Sequence, residues 1–279
     1  MNAMQREKAV RFRAQHARPG AFVIPNPWDA GTARLLTALG FEALATTSAG
    51  FAFALGRRDA EGALTRDETL ANARAIVAAT DLPVSADLEN GFADAPEAVA
   101  QTIRLAAETG LVGGSIEDTT GDARSPIYDF SHAVERVAAA AAAARSLPFP
   151  FTLTARAENF LFGRPDLDDT IRRLQAFEAA GADVLYAPGL PDLAAIRAVC
   201  AAVSRPVNVV MGLKGRRFSV DELAAVGVRR ISVGSALCRA ALGAFQRAAR
   251  EIRDQRTFTF ADDAIPFDEV NTLMAGRAL

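Results

Sequence analysis

Lysine is almost absent from this chain: of 31 basic residues only Lys8 and Lys214 are lysines, and the rest are arginines. A Schiff-base aldolase needs a buried lysine at a strand end. Only Lys214, in "MGLKGRR", lies near one, and its flanking Gly215 and Arg216 indicate an exposed loop, which argues against that chemistry. Cysteine is scarce as well. Cys200 and Cys238 sit in apolar, helical contexts and read as reduced core residues of a cytoplasmic protein, not as a disulfide. The two histidines, His16 and His132, lie away from strand ends and read as surface residues. No apolar run approaches the roughly 20 residues of a membrane span, and the charged start "MNAMQREKAVRFRAQ" has no apolar core of a signal peptide. A net charge of −2 gives no sign of a nucleic-acid or anionic-membrane partner. The turn "IPNPWDAG" is not the G-x-G-x-x-G of a dinucleotide site.

What is present is a repeated unit. Half the residues are hydrophobic, and short β-rich runs alternate with longer helical ones. Strands are expected at 21–25, 43–48, 83–89, 113–118, 150–158, 183–188, 206–211 and 229–234. Each is mostly apolar without strict alternation, as a strand covered on both faces should be. Helix starts carry capping boxes at Thr65/Glu68 and Ser219/Glu222, a start signal at Asp94 before Pro96 and Glu97, and another at Asp166. The phrases "LGFEA", "TGLVGG", "AGADV" and "VGVRR" recur between helix and strand as helix stop, glycine, strand start. Eight β/α units argue for an α/β protein of the (β/α)8 TIM-barrel type, a single domain over 1–279 with a C-terminal helical extension about 235–279.

In such a barrel chemistry sits at the C-terminal strand ends, and the ends here are rich in polar groups. Strand 2 ends in Thr46, Thr47 and Ser48, strand 3 in Asp87 and Glu89, and strand 4 in Glu117 and Asp118. Strand 5 ends in Arg156, Glu158 and Asn159, and strand 7 presents Asn208. On a strand, residues i and i+2 share a face, so Asp87 and Glu89 would repel unless a cation lies between them. Carboxylates from two adjacent strands suit a hard cation with oxygen ligands, Mg²⁺ first and Mn²⁺ as a substitute. Arg156 beside them points to a substrate carboxylate or phosphate.

These residues resemble the isocitrate lyase/phosphoenolpyruvate mutase superfamily across nearly the whole chain, from "NPWDAGTARLL" to "RRISVGSALCRAA". The Thr-Thr-Ser turn with "LGRRDA", then "ADLENGF", "SIEDT", "TARAENF" and "AGADVLYAPG", carry the match. The resemblance implies that Thr46, Thr47 and Ser48 bind an α-oxo carboxylate. It implies that Asp87 and Glu89 are the metal pair, with Glu in place of a second Asp, and that Asp59 and Glu117 hold the metal's water shell, with Glu117 counted among the metal ligands. It assigns Arg156 to the substrate carboxylate and Asn208 and Arg239 to substrate contact; Arg156, Glu117 and Asp59 form the implied catalytic set. It further implies Mg²⁺ that stabilises an enolate, and a homodimer or homotetramer that exchanges its C-terminal helix.

The match fails after strand 4. Where the lyases carry a Lys-Lys/Arg-Cys-Gly-His loop, this chain reads "EDTTGDARSPIYDF", with no cysteine, lysine or histidine, and it has Pro188 where the family often has Glu or His. The segment 119–126 is expected to be a turn-rich lid. Substitute proton donors are Tyr186, Tyr128, Asp122 or a metal-bound water. The expected activity is a Mg²⁺-dependent carbon–carbon lyase or decarboxylase on a small 2-oxo or 2-hydroxy acid. The alternatives are an oxo-acid hydrolase, a phosphonomutase-type enzyme, or a non-catalytic relic that binds oxo acids.

Overall fold

The computed structural model describes residues 3–59, 62–213, 215 and 217–276; Lys214 lies outside them. Eight parallel strands occur where the periodicity placed them: β1 (Phe22–Ile24), β2 (Leu44–Ala45), β3 (Val84–Asp87), β4 (Gly113–Glu117), β5 (Thr152–Arg156), β6 (Val184–Tyr186), β7 (Val207–Val210) and β8 (Arg230–Ser232). Their pairing order is β1-β8-β7-β6-β5-β4-β3-β2. The remaining seam, β1 against β2, is bridged by the Ala45 amide donating to the Pro25 carbonyl at 3.0 Å. Asn26 reinforces it: its amide donates to the Thr46 carbonyl, and its oxygen accepts from the amides of Val233 and Gly234. The result is a nearly closed (β/α)8 barrel.

The helices are α1 (Ala3–Ala17), α2 (Ala30–Ala38), α3 (Ser48–Ala54), α4 (Arg66–Ala78), α5 (Pro96–Glu108), α6 (Phe130–Arg145), α7 (Leu167–Ala180), α8 (Leu193–Ala202), α9 (Val220–Ala225), α10 (Ala236–Arg250) and α11 (Phe267–Met274). Both expected capping boxes form, Thr65 with Glu68 and Ser219 with Glu222, and Asp166 caps α7. Asp94 does not cap: the preceding residue of α5 is Ala95, and Pro96 supplies the start. The four recurrent glycines, Gly40, Gly110, Gly181 and Gly227, all have φ between 81° and 109°. That left-handed conformation stops a helix and turns the chain back towards the next strand.

The strand bounds differ from expectation where chemistry begins. β2 ends at Ala45, and Thr47 instead caps the short helix α3, its hydroxyl accepting from the Gly50 amide. β3 ends at Asp87, and Glu89 has φ 48°. The extended pairing of Asp87 and Glu89 on one strand face is therefore corrected. Left-handed backbone costs a non-glycine residue about 1–2 kcal/mol, and such strain collects at functional sites.

Helix α1 closes the opposite end of the barrel. Its Gln5 amide donates to the carbonyls of Ala107 and Leu111, and Lys8 donates to Thr80. Phe12, fully buried, packs against Gly113, where a Cβ would stand 3.0 Å from its ring. His16 is thus buried, not a surface residue: the rings of Phe12 and Phe22 meet it edge-on at 4.8 and 5.0 Å. Its Nδ1–H donates to the Phe12 carbonyl at 2.8 Å. Burial, aided by Arg230, pushes its pKa down to about 3. His132 is half-buried at the start of α6, beside Asp94. Both cysteines are free. Among the described residues no helix is long and apolar enough to cross a membrane.

The buried, neutral His16 gives the fold a specific acid sensitivity. Between pH 6.5 and about 3 the unfolded chain binds a proton at this position and the folded chain does not, so stability falls as pH falls. His16→Asn, which keeps a donor for Phe12, is expected to be less stable overall. Its stability should decline less steeply over this window, by up to about 1.4 kcal/mol per pH unit. Urea titrations of both proteins from pH 7.5 to 4 check this; equal slopes would show that His16 does not contribute.

Candidate active site

The C-terminal end of the barrel holds one guanidinium among several acids. Arg156, at the end of β5, gives each of its three nitrogens to a different carboxylate. Nε meets Glu158 at 2.7 Å, Nη1 meets Asp87 at 3.2 Å and Nη2 meets Glu117 at 3.2 Å. Its face stacks over the Tyr186 ring at 4.9 Å. Register contributes to the convergence: Asp87 ends β3 opposite Ser115, and Glu117 and Arg156 end β4 and β5 as a pair, so three adjacent strands deliver their last residues to one mouth.

The Thr46–Ser48 turn holds Asp87 in place. The Thr46 hydroxyl accepts from the Asp87 amide at 3.0 Å, and the Ser48 hydroxyl donates to Asp87 Oδ2 at 2.9 Å. Glu89 is tied through its backbone. Its amide donates to Asp87 Oδ1, and its carbonyl accepts from Glu117. The Thr119 hydroxyl donates to Glu117 at 2.7 Å. Asp59 is exposed at the rim and faces the same cavity as Asp87.

Electrostatically the cluster is short of positive charge. Burial and then the charges of Asp87, Glu117 and Asp59 push Glu89 up to about 8. Burial is also the largest influence on Glu117 and Glu158 and raises both, with Arg156 pulling them back. Asp87, Glu89, Glu117 and Glu158 crowd around one arginine and need protons or a cation to balance them. A divalent metal fits this donor set: carboxylate oxygens only, with Asp87, Glu89, Glu117 and Asp59 at hand. Among the described residues no three of His, Cys, Asp and Glu close into a ready cage. Of the expected metal group, Asp87, Glu89 and Glu117 do come together at the mouth, with Arg156 between Asp87 and Glu117. Mg²⁺ tolerates such a site, since it keeps several waters and takes one or two carboxylates.

Two cavities flank the cluster. The inner one, about 180 Å³, lies within the barrel mouth and is lined by Thr46, Thr47, Ser48, Asp59, Asp87, Arg156, Asn208 and Arg230, among others. The outer one, about 760 Å³, runs from Glu89 and Glu117 to the 119–126 segment and to Arg66 on α4. That segment is turn-rich as expected, exposed from Gly121 to Ser125 and closed by a single bridge between Thr119 and Ile127. Arg239 is exposed on α10, donates to the Gly212 carbonyl at 2.5 Å and is not among the residues that line the inner cavity.

The suggested proton donors fare poorly. Asp122 is bound to Arg124, which lowers its pKa. Burial raises Tyr186 far above neutrality, and Tyr128 is pushed up to about 12 while it packs under Arg136 at 4.2 Å. Cys238 rests on the Gly50 carbonyl, and Cys200 lines a cavity at the other end of the barrel.

Sequence reasoning gave three residues no role: it named Glu158 only among the polar ends of strand 5, and it named neither Arg173 nor Arg230. Glu158 is 1 % exposed and binds Arg156; the period-2 spacing from Arg156 was its only signal. Arg173 on α7 holds Asp118 at 3.1 Å, and Asp118 in turn accepts from the Glu158 amide at 2.8 Å. Arg230 lies inside the barrel, and nothing in "RRISVG" shows which arginine turns inwards.

A family model described as phosphoenolpyruvate phosphomutase matches residues 12–253. A Burkholderia cenocepacia J2315 protein of known structure, provisionally assigned as a lyase/mutase, is 62% identical. It covers 100% of both chains with a TM-score of 0.97. An oxaloacetate decarboxylase of Bradyrhizobium diazoefficiens is 30% identical over 89% of this chain and 86% of its own. The structure of a 2,3-dimethylmalate lyase is 26% identical with a TM-score of 0.86, over 96% of this chain and 94% of its own.

The Asp118–Arg173 pair supports the site from beneath. Both side chains are nearly inaccessible, at 1 % and 6 %, and removing one partner strands the other. Arg173→Met is expected to cost about 3–5 kcal/mol, while Arg173→Met combined with Asp118→Asn should recover much of that loss. Urea unfolding of the three variants provides the check. A double variant as unstable as the two single losses added together would show that the ions are not coupled.

Proposed function

We propose that this chain, which belongs to the phosphoenolpyruvate mutase/isocitrate lyase superfamily of enzymes, is a divalent-metal-dependent lyase. It cleaves a carbon–carbon bond of, or decarboxylates, a small 2-oxo or 2-hydroxy carboxylic acid. The observation that carries this is the surplus of carboxylates around Arg156 at the mouth of a 180 Å³ cavity. That volume is below the 300–1,000 Å³ usual for larger ligands, so the substrate is small. Asp87, Glu117 and Asp59, with Glu89 nearby, would hold Mg²⁺ or Mn²⁺ largely through water. When bound, the ion supplies the Lewis acidity that favours negative charge on a substrate oxygen.

The chain's own groups do the rest. The Thr46–Ser48 turn orients Asp87 and offers hydroxyls to a carboxylate. Arg156 faces the same anion, and occupation of the metal site would release some of its donors from Asp87 and Glu117. Asn208 and Ser232 form a polar wall. No thiol or imidazole reaches the inner cavity among the described residues. A reaction that requires a protein acid to protonate carbon would lose roughly 10²–10⁴ in rate. Loss of CO₂ removes no proton from carbon, so oxaloacetate-like acids fit best. A non-catalytic relic is disfavoured because an uncompensated acid cluster destabilises the fold.

The test is turnover with Mg²⁺ of oxaloacetate, methylisocitrate, dimethylmalate and phosphonopyruvate. Oxaloacetate-like acids should react, Mn²⁺ should substitute and chelation should abolish activity. Methylisocitrate should stay below about 10⁴ M⁻¹s⁻¹ in kcat/KM, the low end of ordinary enzymes. No turnover of any of the four would remove the lyase reading, and P–C or hydrolytic cleavage would move it to the hydrolases. In parallel, Asp87→Ala should abolish Mg²⁺ binding in calorimetry with the fold intact; unchanged affinity would remove Asp87 from the metal site.

The assembly proposed is a homodimer or homotetramer. Helix α10 buries only Cys238, while Leu242 is 46 % and Phe245 73 % exposed, an apolar face of the kind that a partner covers. Light scattering at micromolar concentration should give a multiple of the 29.5 kDa chain mass; a monomeric mass would refute it.

A further inference from the structure

A second guanidinium lies in the inner cavity, and its surroundings differ from those of Arg156. Arg230, at the start of β8, is 6 % exposed. Its Nε donates to Asn208 Oδ1 at 2.8 Å and its Nη2 to Thr154 Oγ1 at 2.9 Å. Its Nη1 faces His16 Nε2 at 3.5 Å. The Nδ1–H of His16 is committed to Phe12, so Nε2 is the acceptor of a neutral ring. Among the described residues, every hydrogen-bond partner of Arg230 is therefore uncharged. A buried ion held only by neutral acceptors lacks the counter-charge that normally compensates its desolvation. Burial lowers its pKa to about 10, which leaves it charged at neutral pH.

The other charged residues lining this cavity, among those described, are Arg156, Asp59 and Asp87. Arg156 is already engaged by three carboxylates. Arg230 is the cation without an anion. Its place is also defined. It bonds Thr154, two residues before Arg156 on β5, so its fork lies one barrel layer, about 6.6 Å along the strand, below the Arg156 level. The cavity thus runs from a metal-and-arginine rim to an arginine floor. The 180 Å³ between them leaves room for a small acid.

We propose that Arg230 is the floor anchor for a second anionic group of the substrate, so that this cavity selects small dicarboxylic acids over their monocarboxylic counterparts. The proposal rests on the reading that the inner cavity binds a 2-oxo or 2-hydroxy acid. One carboxylate lies at the rim with Arg156. The other descends to Arg230, and the Asn208 amide, fixed between Arg230 and the Ser232 hydroxyl at 3.1 Å, flanks it. A hydrogen-bonded carboxylate–guanidinium contact contributes roughly tenfold to a hundredfold in affinity.

Calorimetry of the full-length protein with Mg²⁺ tests this with malate and lactate, 2-hydroxy acids that differ by one carboxylate. Wild type should bind malate at least about tenfold more tightly than lactate. Arg230→Met should reduce malate binding to within about threefold of lactate, with a much smaller loss for lactate. Arg230→Lys, which keeps the charge without the fork, should fall between them and serves if the Met variant does not fold. Equal malate and lactate binding by wild type, or a preference that survives in both variants, would overturn the proposal alone. So would equal weakening of both acids, the result a merely structural arginine would give. Binding of neither acid by wild type would overturn the oxo-acid reading, and this proposal with it.

Discussion

Everything at the barrel mouth depends on the charge balance around Arg156. One guanidinium meets acids from β3, β4 and the end of its own strand. Arginine suits this position because its planar fork presents separate donors in fixed directions, which a lysine ammonium does not. The arrangement still leaves more carboxylate than it neutralises, and Glu89 and Glu117 respond by holding protons more tightly. The deficit is what gives the site its capacity for a cation. Asp118, Arg173 and the Thr46–Ser48 turn add no charge to the mouth; they hold its acids where the deficit is greatest.

The architecture was legible because each β/α unit repeats the same physical punctuation. Apolar runs of strand length alternate with capped helices that end in left-handed glycines, and the eight strands formed in those runs. The strand-end acids were legible too, since a charged residue after an apolar run marks where the barrel opens. What failed was detail set by tertiary context. Asp87 and Glu89 were read as neighbours on one strand face. They are neighbours, but across a left-handed turn that the letters "DLEN" do not announce. His16 carries no apolar signal of its own, and only the docking of α1 buries it. Arg239 donates to the Gly212 carbonyl, a contact that its spacing after β8 does not announce.

The scarcity of lysine has structural consequences. Arg136, Arg156, Arg173 and Arg230 all lie inside the protein, and each is held at several points. Arg136 pins the 90–94 turn through the carbonyls of Asn90, Ala93 and Asp94. In "RRISVG" the first arginine is half-buried and reaches the Gly20 carbonyl, while the second faces the barrel interior. That is the ordinary alternation of a strand, applied to a charged pair. Two identical letters thus have opposite fates, decided by register.

The seal at the base of the barrel also orders events in time. Helix α1 is the first part of the described chain to be synthesised, yet Gln5 must find carbonyls 102 and 106 residues later, and His16 meets an arginine 214 residues away. Such distant contacts form late, because long loops must close before they are rewarded. Until those residues are made, a helix with Phe12 on its inner face waits without its full dock. The period of greatest vulnerability for a nascent chain therefore falls at its beginning, and it ends only when β8 arrives.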